Sequence, residues 1–338
     1  LTSTIGEVCL ATSTTAWSPS VSDPFSGGAI NDICAGTIGG NHWWFIVGGG
    51  GKVATSNDAG LTWTLLTTTN TNNLTSCTYD SAYGGKFWGA GDGGVLVSTV
   101  DGINVVEDTT SIPAIGYVAS NDSWGIEASE GAGAVGVLFS ATNTNVMLAY
   151  TEDNGVTWDF DDAGSVTPPF KKSLACPWDS NNIRDNKFYT TAPGTTTVSS
   201  KTSTGTSWSG SAGPTGSSNK SAMGFFFDES AMRIYGVGGG GIYGSSSGWT
   251  GDDTTTFNKS HNSFAYSPFH NRLVVVGDGA QIGYLDSNNK AVNNAWTLVA
   301  NGGSQVADLN SVAWSGADGL FIAVGSTGQI LLSSSGIN

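Results

Sequence analysis

The stretch LNSVAWSGADGLFIAVGSTGQILLSSSG, residues 309 to 336, contains the repeating unit that decides the fold. An apolar strand at 312–314 is followed by a small polar turn. A second strand at 320–324 then enters a glycine turn, and a third strand begins at Gln329. The same order of strands and turns recurs from Leu74, Lys220 and Ser260. A unit that returns about every 40 to 55 residues indicates blades or solenoid turns.

The glycine turn after the second strand is the most regular part of the unit. It reads VGGGG at 47, AGDGG at 90, VGGGG at 237, VGDGA at 276 and VGSTG at 324. Tight hairpins require a positive φ at one or both central residues, and glycine adopts it without strain. A fourth strand then opens with an aromatic residue, at Trp17, Trp63, Trp158, Trp208, Trp249 and Trp296, with Val105 in the slot between Trp63 and Trp158.

These seven slots predict an all-β fold, a seven-bladed β-propeller of four-stranded antiparallel blades. We expect one domain over residues 1–338, with blades that begin near residues 29, 74, 114, 171, 220, 260 and 309. Residues 1–28 should supply the closing strands, so that an N-terminal strand pairs with the C-terminal blade. This closure duplicates one third strand, for which the pattern offers no place.

Two copies of one motif, SNDAGLTW (56–63) and TEDNGVTW (151–158), stand where the third and fourth strands of a blade are joined. The Asp carboxylate can accept hydrogen bonds from turn N–H groups, the Ser or Thr hydroxyl can add another, and glycine takes the left-handed position. The tryptophan would pack between neighbouring blades. We therefore predict a structural role for Ser56, Asp58, Gly60, Thr62, Trp63, Thr151, Asp153, Gly155, Thr157 and Trp158.

These two segments resemble the Asp-box, or BNR, repeats of sialidases and related propellers. The longer stretch FIVGGGGKVATSNDAGLTWT (45–64) also resembles the repeat of the photosystem II assembly factors of the Ycf48 type. The resemblance implies a propeller fold and leaves activity open. A sialidase-like site would need an arginine cluster, a Tyr/Glu nucleophile pair and an Asp acid, and the Ycf48 type is expected to carry arginine patches.

The sequence does not predict an enzyme. Its three arginines, Arg184, Arg233 and Arg272, fall at turns between the first and second strands of successive blades, where we expect solvated side chains. The three histidines are too scattered to form a ligand set. The acidic run at 159–162 lacks the spacing of a calcium loop, so we expect a solvated loop, no metal site and no cofactor.

Charge and composition limit the partners. The chain has 12 Lys+Arg against 27 Asp+Glu, a formal net charge of −15, which would repel nucleic acids and anionic membrane surfaces. No apolar run approaches the ~20 residues that span a bilayer, so we expect no membrane insertion. The sparse charge and the Thr, Ser, Asn and Gly content are typical of extracellular, cell-surface or virion proteins. The N-terminus shows neither Met nor a signal-peptide pattern, which predicts a processed chain, a fragment or numbering from the first ordered residue.

The four cysteines, Cys9, Cys34, Cys77 and Cys176, contain no CxxC pair, which argues against zinc and redox motifs. Buried thiols are favoured over disulfides, and three pairings stay open. The Asn-x-Ser/Thr sequons Asn73, Asn121, Asn219 and Asn258 would be glycosylation sites in a secreted eukaryotic protein.

The remaining hypotheses are recognition and architecture. We predict a non-enzymatic binding or assembly module whose partner is a protein subunit of a larger assembly or a cell-surface glycan. The alternatives are a lectin-like propeller and a glycoside hydrolase related to sialidases. Binding candidates are Trp124 and Trp43, which could offer aromatic faces, and Asp92 and Asp278, which lie in equivalent second turns expected to face the central channel. An architectural subunit should also present one unusually apolar outer face.

Overall fold

The structure is a computed structural model, and it describes fifteen stretches of the chain. They are residues 17–20, 22–109, 123–129, 134–142, 145–162, 187–191, 197–202, 209–212, 220–228, 231–238, 241–244, 251–253, 259–286, 296–299 and 307–337. Side chains are described for residues 17–20, 22–109, 125–128, 134–139, 148–160, 259–286, 296–299 and 307–337. Several predicted features lie outside the described residues. They are the blade starts near 114 and 171, the cysteines Cys9 and Cys176, and the sequons Asn121, Asn219 and Asn258.

Within these residues the strands form seven separate antiparallel sheets, which we number 1 to 7. After β1 (Ser18–Pro19), sheet 1 holds β2 (Ile30–Ile38), β3 (Asn41–Gly48), β4 (Val53–Ser56) and β5 (Thr64–Leu66). Sheet 2 holds β6 (Leu74–Asp80), β7 (Lys86–Gly91), β8 (Leu96–Thr99) and β9 (Val106–Asp108). Sheet 3 holds β10 (Ser123–Ser129), β11 (Ala134–Thr142), β12 (Asn145–Thr151) and β13 (Asp159–Asp162).

Sheet 4 has three described strands, β14 (Lys187–Thr191), β15 (Thr197–Thr202) and β16 (Ser209–Ala212). Sheet 5 holds β17 (Lys220–Asp228), β18 (Ala231–Gly238), β19 (Gly241–Gly244) and β20 (Gly251–Asp253). Sheet 6 holds β21 (His261–Ser267), β22 (Arg272–Gly277), β23 (Ile282–Asp286) and β24 (Thr297–Leu298). Sheet 7 holds β25 (Leu309–Ser315), β26 (Leu320–Gly325) and β27 (Ile330–Ser333), with β1 as its fourth strand.

Where side chains are described, the core lies between successive sheets, at the joints of sheets 6 and 7, 7 and 1, 1 and 2, and 2 and 3. First strands contact one another in the order β17, β21, β25, β2, β6 and β10. Trp63 lies among Ile322 and Val324 of sheet 7. Trp158 packs edge-on against Trp88 of sheet 2, with ring centroids 6.0 Å apart. These aromatic residues therefore contribute apolar burial at the joints between sheets.

The glycine turns between the second and third strands adopt the expected positive φ, for example +68° at Gly50 and +75° at Gly93. The glycine that precedes each turn has a different reason. Gly48 and Gly91 have an extended backbone, yet a Cβ on either would lie 2.2 Å from a backbone carbonyl oxygen of the residue before the first strand. Close backbone approach, not left-handed geometry, requires glycine at this position.

The N-terminal strand joins the C-terminal sheet. Ser18 and Pro19 of β1 pair antiparallel with Leu332 and Leu331 of β27. Trp17 packs at the joint of sheets 6 and 7, with its ring centroid 6.5 Å from that of Phe321. The duplicated third strand expected in residues 1–16 lies outside the described part of the chain.

Candidate functional site

The turn after β4 is held together by its own polar side chains. Ser56 Oγ accepts the Gly60 N–H at 3.0 Å and donates to Asp58 at 2.8 Å. Asp58 in turn accepts the Thr62 N–H at 2.9 Å and the Thr62 hydroxyl at 2.6 Å. Partial burial alone would raise the pKa of Asp58, but the hydrogen bonds from Thr62 and Ser56 outweigh it and the pKa is lowered.

The turn after β12 repeats this arrangement. Thr151 Oγ1 accepts the Gly155 N–H at 2.9 Å, and Asp153 accepts the Thr157 hydroxyl at 2.6 Å and the Thr157 N–H at 2.8 Å. The hydrogen bonds from Thr157 lower the pKa of Asp153 to about 2. Each carboxylate thus has its oxygens directed at its own turn.

A third turn of this kind follows β8 and was not predicted from the sequence. Thr99 Oγ1 accepts the Gly102 N–H at 3.0 Å, and Asp101 accepts the Asn104 N–H and side-chain amide, both at 2.7 Å. Those Asn104 bonds lower the pKa of Asp101 to about 2. The signal was the sequence Thr-x-Asp-Gly just before Val105, but the turn is one residue shorter than the other two.

A fourth turn, after β27, has serine in place of the aspartate. Ser333 Oγ accepts the Gly336 N–H at 2.8 Å, and Ser335 Oγ accepts the Ile337 N–H at 3.2 Å. We call these four segments, residues 56–62, 99–104, 151–157 and 333–337, the box turns.

In sheets 1, 2 and 3 the box turn docks the sheet on the one before it. A Cβ on Gly102 would lie 2.7 Å from the ring of Trp43, and a Cβ on Gly155 would lie 2.5 Å from the ring of Trp88. Gly60 approaches Ile322 of sheet 7 in the same way. Trp43, predicted as a binding residue, therefore lies against Gly102 at the joint of sheets 1 and 2.

Turns between first and second strands contact the same segments. Tyr83 Oη donates to the Glu152 carbonyl at 2.8 Å, and the Lys86 ammonium donates to the Asn154 carbonyl at 3.1 Å. His270 Nε2 lies 2.7 Å from the Ser334 carbonyl oxygen. These contacts place the box turns and the first-to-second-strand turns on one end of the sheets, which we call the box face.

The predicted binding carboxylates lie in the glycine turns at the other end of the sheets. Asp92 accepts the Asn73 side-chain amide at 3.1 Å, and Asp278 accepts the Asn262 amide at 2.9 Å. Asp92 belongs to sheet 2 and Asp278 to sheet 6, and each bonds within its own sheet. The sequon residue Asn73 is exposed, and its oxygen accepts the Gly50 N–H at 3.1 Å.

Trp124 holds a special register position in β10. In six sheets the pairing between the first two strands skips one residue of the first strand. The skipped residues are Asn31, Thr75, Trp124, Ser221, Asn262 and Asn310. The side-chain amides of all three asparagines in this set donate to a carbonyl of the next sheet, for example Asn31 to Leu74 at 2.8 Å and Asn310 to Ile30 at 2.8 Å. Trp124 thus stands at a backbone irregularity that belongs to the repeat.

Arg272 is not the solvated residue that its position in the sequence predicted. Its guanidinium forms a 2.6 Å ion pair with Asp286 and donates to the Ser335 carbonyl at 2.6 Å, and only 11% of its side chain is exposed. The partner Ser335 comes from the next sheet, which is why local sequence did not reveal it. The side chains of Arg184 and Arg233 lie outside the described set.

One cluster brings together serine, histidine and aspartate. His42 Nε2 lies 2.8 Å from Ser315 Oγ and 3.1 Å from Asp318 Oδ2, and Trp44 Nε1 donates to the same carboxylate at 2.6 Å. A nucleophilic relay needs the hydroxyl and the carboxylate on opposite ring nitrogens. Here both meet Nε2, so the geometry joins sheets 1 and 7 and does not activate the serine.

Burial would raise the pKa of Asp318, but the hydrogen bond and charge of His42, with Trp44 and Ser315, outweigh it and lower the pKa. Among the residues that the structure describes, no cluster of three or more His, Cys, Asp or Glu side chains could hold a metal ion. Cys34 and Cys77 form no disulfide. In the described part of the chain no helix is long and apolar enough to cross a membrane.

The box face also carries exposed apolar side chains. The residue after the box glycine is Leu61 (53% exposed), Ile103 (65%) and Val156 (81%) in sheets 1, 2 and 3. Tyr83 (65%) and Phe269 (83%) stand in the first-to-second-strand turns of sheets 2 and 6. These five side chains, which we call the apolar arc, are distributed over four successive joints, from sheets 6 and 7 to sheets 2 and 3.

Comparison with solved structures shows that the fold is a β-propeller. The chain is similar to YCF48 bound to D1 peptide, with a TM-score of 0.67 and 16% identity over 94% of this chain and 96% of that one. YCF48 from Cyanidioschyzon merolae gives 0.66 and 15% over 94% and 98%. The β-propeller domain of Myceliophteria thermophila Cps50 (Swd1) gives 0.63 and 11% over 93% and 99%. No protein-family model and no curated protein matches the sequence.

Proposed function

We propose that this protein is a non-enzymatic propeller that binds a protein partner and serves as an assembly module. The observation that carries the proposal is the apolar arc. Exposed apolar patches on soluble proteins mark interaction sites, and the five side chains of the arc all lie on one face at neighbouring joints. The arc's five side chains lie on adjoining turns of one face. This distribution supports the binding of a protein better than the binding of a small molecule.

The polar groups of the described joints support the absence of catalysis. The carboxylates of Asp58, Asp101 and Asp153 are occupied by their own turns. The cluster of His42, Ser315 and Asp318 lacks the arrangement of a relay. An active site needs groups that converge on substrate, and these converge on the protein itself.

The same proposal includes a ring of seven blades of the Asp-box type, closed by β1. Its support is the seven sheets, the β1–β27 pairing and the hydrogen bonds of the box turns. A location outside the cell, on its surface or in a virion is also proposed, because the chain carries only 12% charged residues and many neutral polar ones. One similar propeller, YCF48, was solved with a D1 peptide, which gives a precedent for a protein ligand on this fold.

The test is the native mass and composition of the particle that carries this chain, by mass photometry with peptide identification. We expect a stoichiometric complex with another protein, and photo-crosslinkers in that complex would show the contacting face. A chain that stays near 34.6 kDa and binds in a glycan array would instead support the lectin-like alternative. Hydrolysis of a glycoside substrate would overturn the non-enzymatic assignment.

A further inference from the structure

We infer that the apolar arc receives a protein segment in which apolar side chains alternate with lysine or arginine. The inference rests on the proposed function and adds the face and the chemistry of the partner. It is carried by the charges that surround the arc.

The arc is interleaved with carboxylates. Asp58 lies three residues before Leu61, Asp101 two before Ile103, and Asp153 three before Val156. Glu152, whose carbonyl accepts the Tyr83 hydroxyl, is exposed beside the same joint. The hydrogen bonds within the turns keep these aspartates ionised at neutral pH, since they lower each pKa.

The two cations whose side chains are described on the box face are directed inward. Among described side chains, the lysines and arginines are Lys52, Lys86, Lys259 and Arg272. Lys86 lies over the Trp88 ring at 3.7 Å, and Arg272 is occupied by Asp286 and the Ser335 carbonyl. Lys52 donates to the Phe25 carbonyl at 2.6 Å beside a glycine turn, and Lys259 adjoins Gly279, both at the opposite end of the sheets.

The described box face thus offers apolar contact and negative charge together. Charge complementarity favours a partner with the opposite sign, and like charge disfavours a second copy of a chain with net charge −15. Apolar anchors would sit among Leu61, Ile103 and Val156, and basic side chains would lie beside them in the negative field of Glu152 and the ionised turn carboxylates.

The test uses three labelled peptides of about 15 residues, a length that spans several turns. The first alternates Leu and Phe with Lys and Arg, the second has Glu in place of every Lys and Arg, and the third keeps the basic residues but has Ser for every apolar one. Fluorescence anisotropy with the full chain should show binding of the first peptide, at least about tenfold weaker binding of the other two, and loss of affinity with added salt.

Paired variants identify the face. Tyr83→Ser with Val156→Ser should weaken binding of the first peptide by about tenfold. Leu65→Ser with Leu298→Ser is the matched control, because these exposed leucines lie on fourth strands outside the arc, and it should leave binding unchanged. Hydrogen-exchange footprinting of the unmodified chain gives a second measurement, with protection expected at the box turns and not at the glycine turns 49–51 and 92–94.

Equal binding of the acidic peptide, no binding of any peptide, equal loss in the control pair, or a footprint on the glycine turns would each overturn the inference. Self-association of the chain through the arc would also contradict it. These outcomes differ from failure of the proposed function. A native protein partner crosslinked to the opposite face would leave the function standing and remove only this inference.

Discussion

Gly102 shows how one residue can hold two sheets together. Its φ is +72°, and a Cβ on this residue would lie only 2.7 Å from the ring of Trp43. Its carbonyl also accepts the Thr55 hydroxyl of sheet 1 at 2.8 Å. Backbone conformation, close packing and a hydrogen bond between sheets therefore meet at one glycine.

We expect Gly102→Ala to lower the free energy of unfolding by about 3 kcal/mol, because it adds steric overlap with a rigid ring to the cost of a left-handed alanine. Gly39→Ala is the matched control. Its φ is +59° with nothing within 4 Å of a Cβ, so it should cost only about 1 kcal/mol. Urea unfolding followed by tryptophan fluorescence measures both. Equal losses would show that the Trp43 contact contributes nothing.

The box aspartates make stability depend on acid pH. Asp101 and Asp153 have a folded-state pKa of about 2, below the ordinary 3.8, because turn donors bind the ionised form. A depressed folded pKa contributes stability above the unfolded pKa, and that contribution is lost as the pH falls through the folded pKa.

The melting temperature should therefore fall as the pH drops from about 5 to about 2. Asp101→Asn and Asp153→Asn should melt lower at neutral pH and show a flatter acid limb. Glu152→Gln removes a neighbouring exposed carboxylate that makes no described turn bond, and its curve should follow that of the parent chain. Scanning calorimetry across this range checks both. An unchanged acid limb in the Asn variants would contradict the assignment.

At the scale of elements, the first strands are joined by side chains at the skipped register position. Asn31 Nδ2 donates to the Leu74 carbonyl of the next sheet, and Asp32 accepts the Cys77 N–H there at 2.8 Å. Such bonds tie neighbouring first strands that share no backbone ladder.

Asn31→Ala should lower the free energy of unfolding by about 1–2 kcal/mol, because a partly buried carbonyl loses its donor. Asn41→Ala supplies the control, since Asn41 is exposed at the first hairpin of the same sheet. Chemical denaturation of the two variants measures the difference. If Asn41→Ala costs as much, the bond to Leu74 does not stabilise the joint.

These elements also show what the sequence could predict. The glycine turns and the hydrogen bonds of the box turns are local, so the sequence around Gly50 and Asp58 is enough to predict the conformation of these turns. Gly48 is extended, and glycine is required there because the Ala29 carbonyl lies too close for a Cβ. Arg272 is held by the Ser335 carbonyl, 63 residues later in the chain. Partners that distant leave no local pattern. The short turn at Asp101 was missed because its length and its Val105 both depart from the motif.

At the scale of the whole molecule, the two ends of the sheets differ in character. The glycine-turn end carries amides and carboxylates that bond to one another, such as Asn73 with Asp92. The box face carries the exposed residues Tyr83, Val156 and Phe269. The hypothesis of an architectural subunit predicted one apolar outer face but gave it no position. Contacts between adjoining sheets bring the side chains of distant repeats onto the box face.

The joint between sheets 1 and 7 connects strands that are far apart in the chain. Asp318 accepts Trp44 Nε1 and meets His42 across more than 270 residues of chain. Asp318→Ala leaves a partly buried indole N–H without its acceptor, so we expect a loss of about 2 kcal/mol in the free energy of unfolding. In a closed ring, opening one joint exposes the edges of both neighbouring sheets. We therefore expect amide protection to fall by a similar factor in all described sheets, not only beside the variant.

Native-state hydrogen exchange compares strands at that joint, β3 and β26, with the remote strand β7. Ala317→Ser in the same exposed turn controls for local disturbance and should leave protection intact. A loss of protection confined to β3 and β26 would mean that the sheets open independently. That result would contradict the cooperative opening expected of a closed ring. A uniform loss would instead support mechanical closure through Asp318, because one broken joint would have loosened sheets that it does not touch.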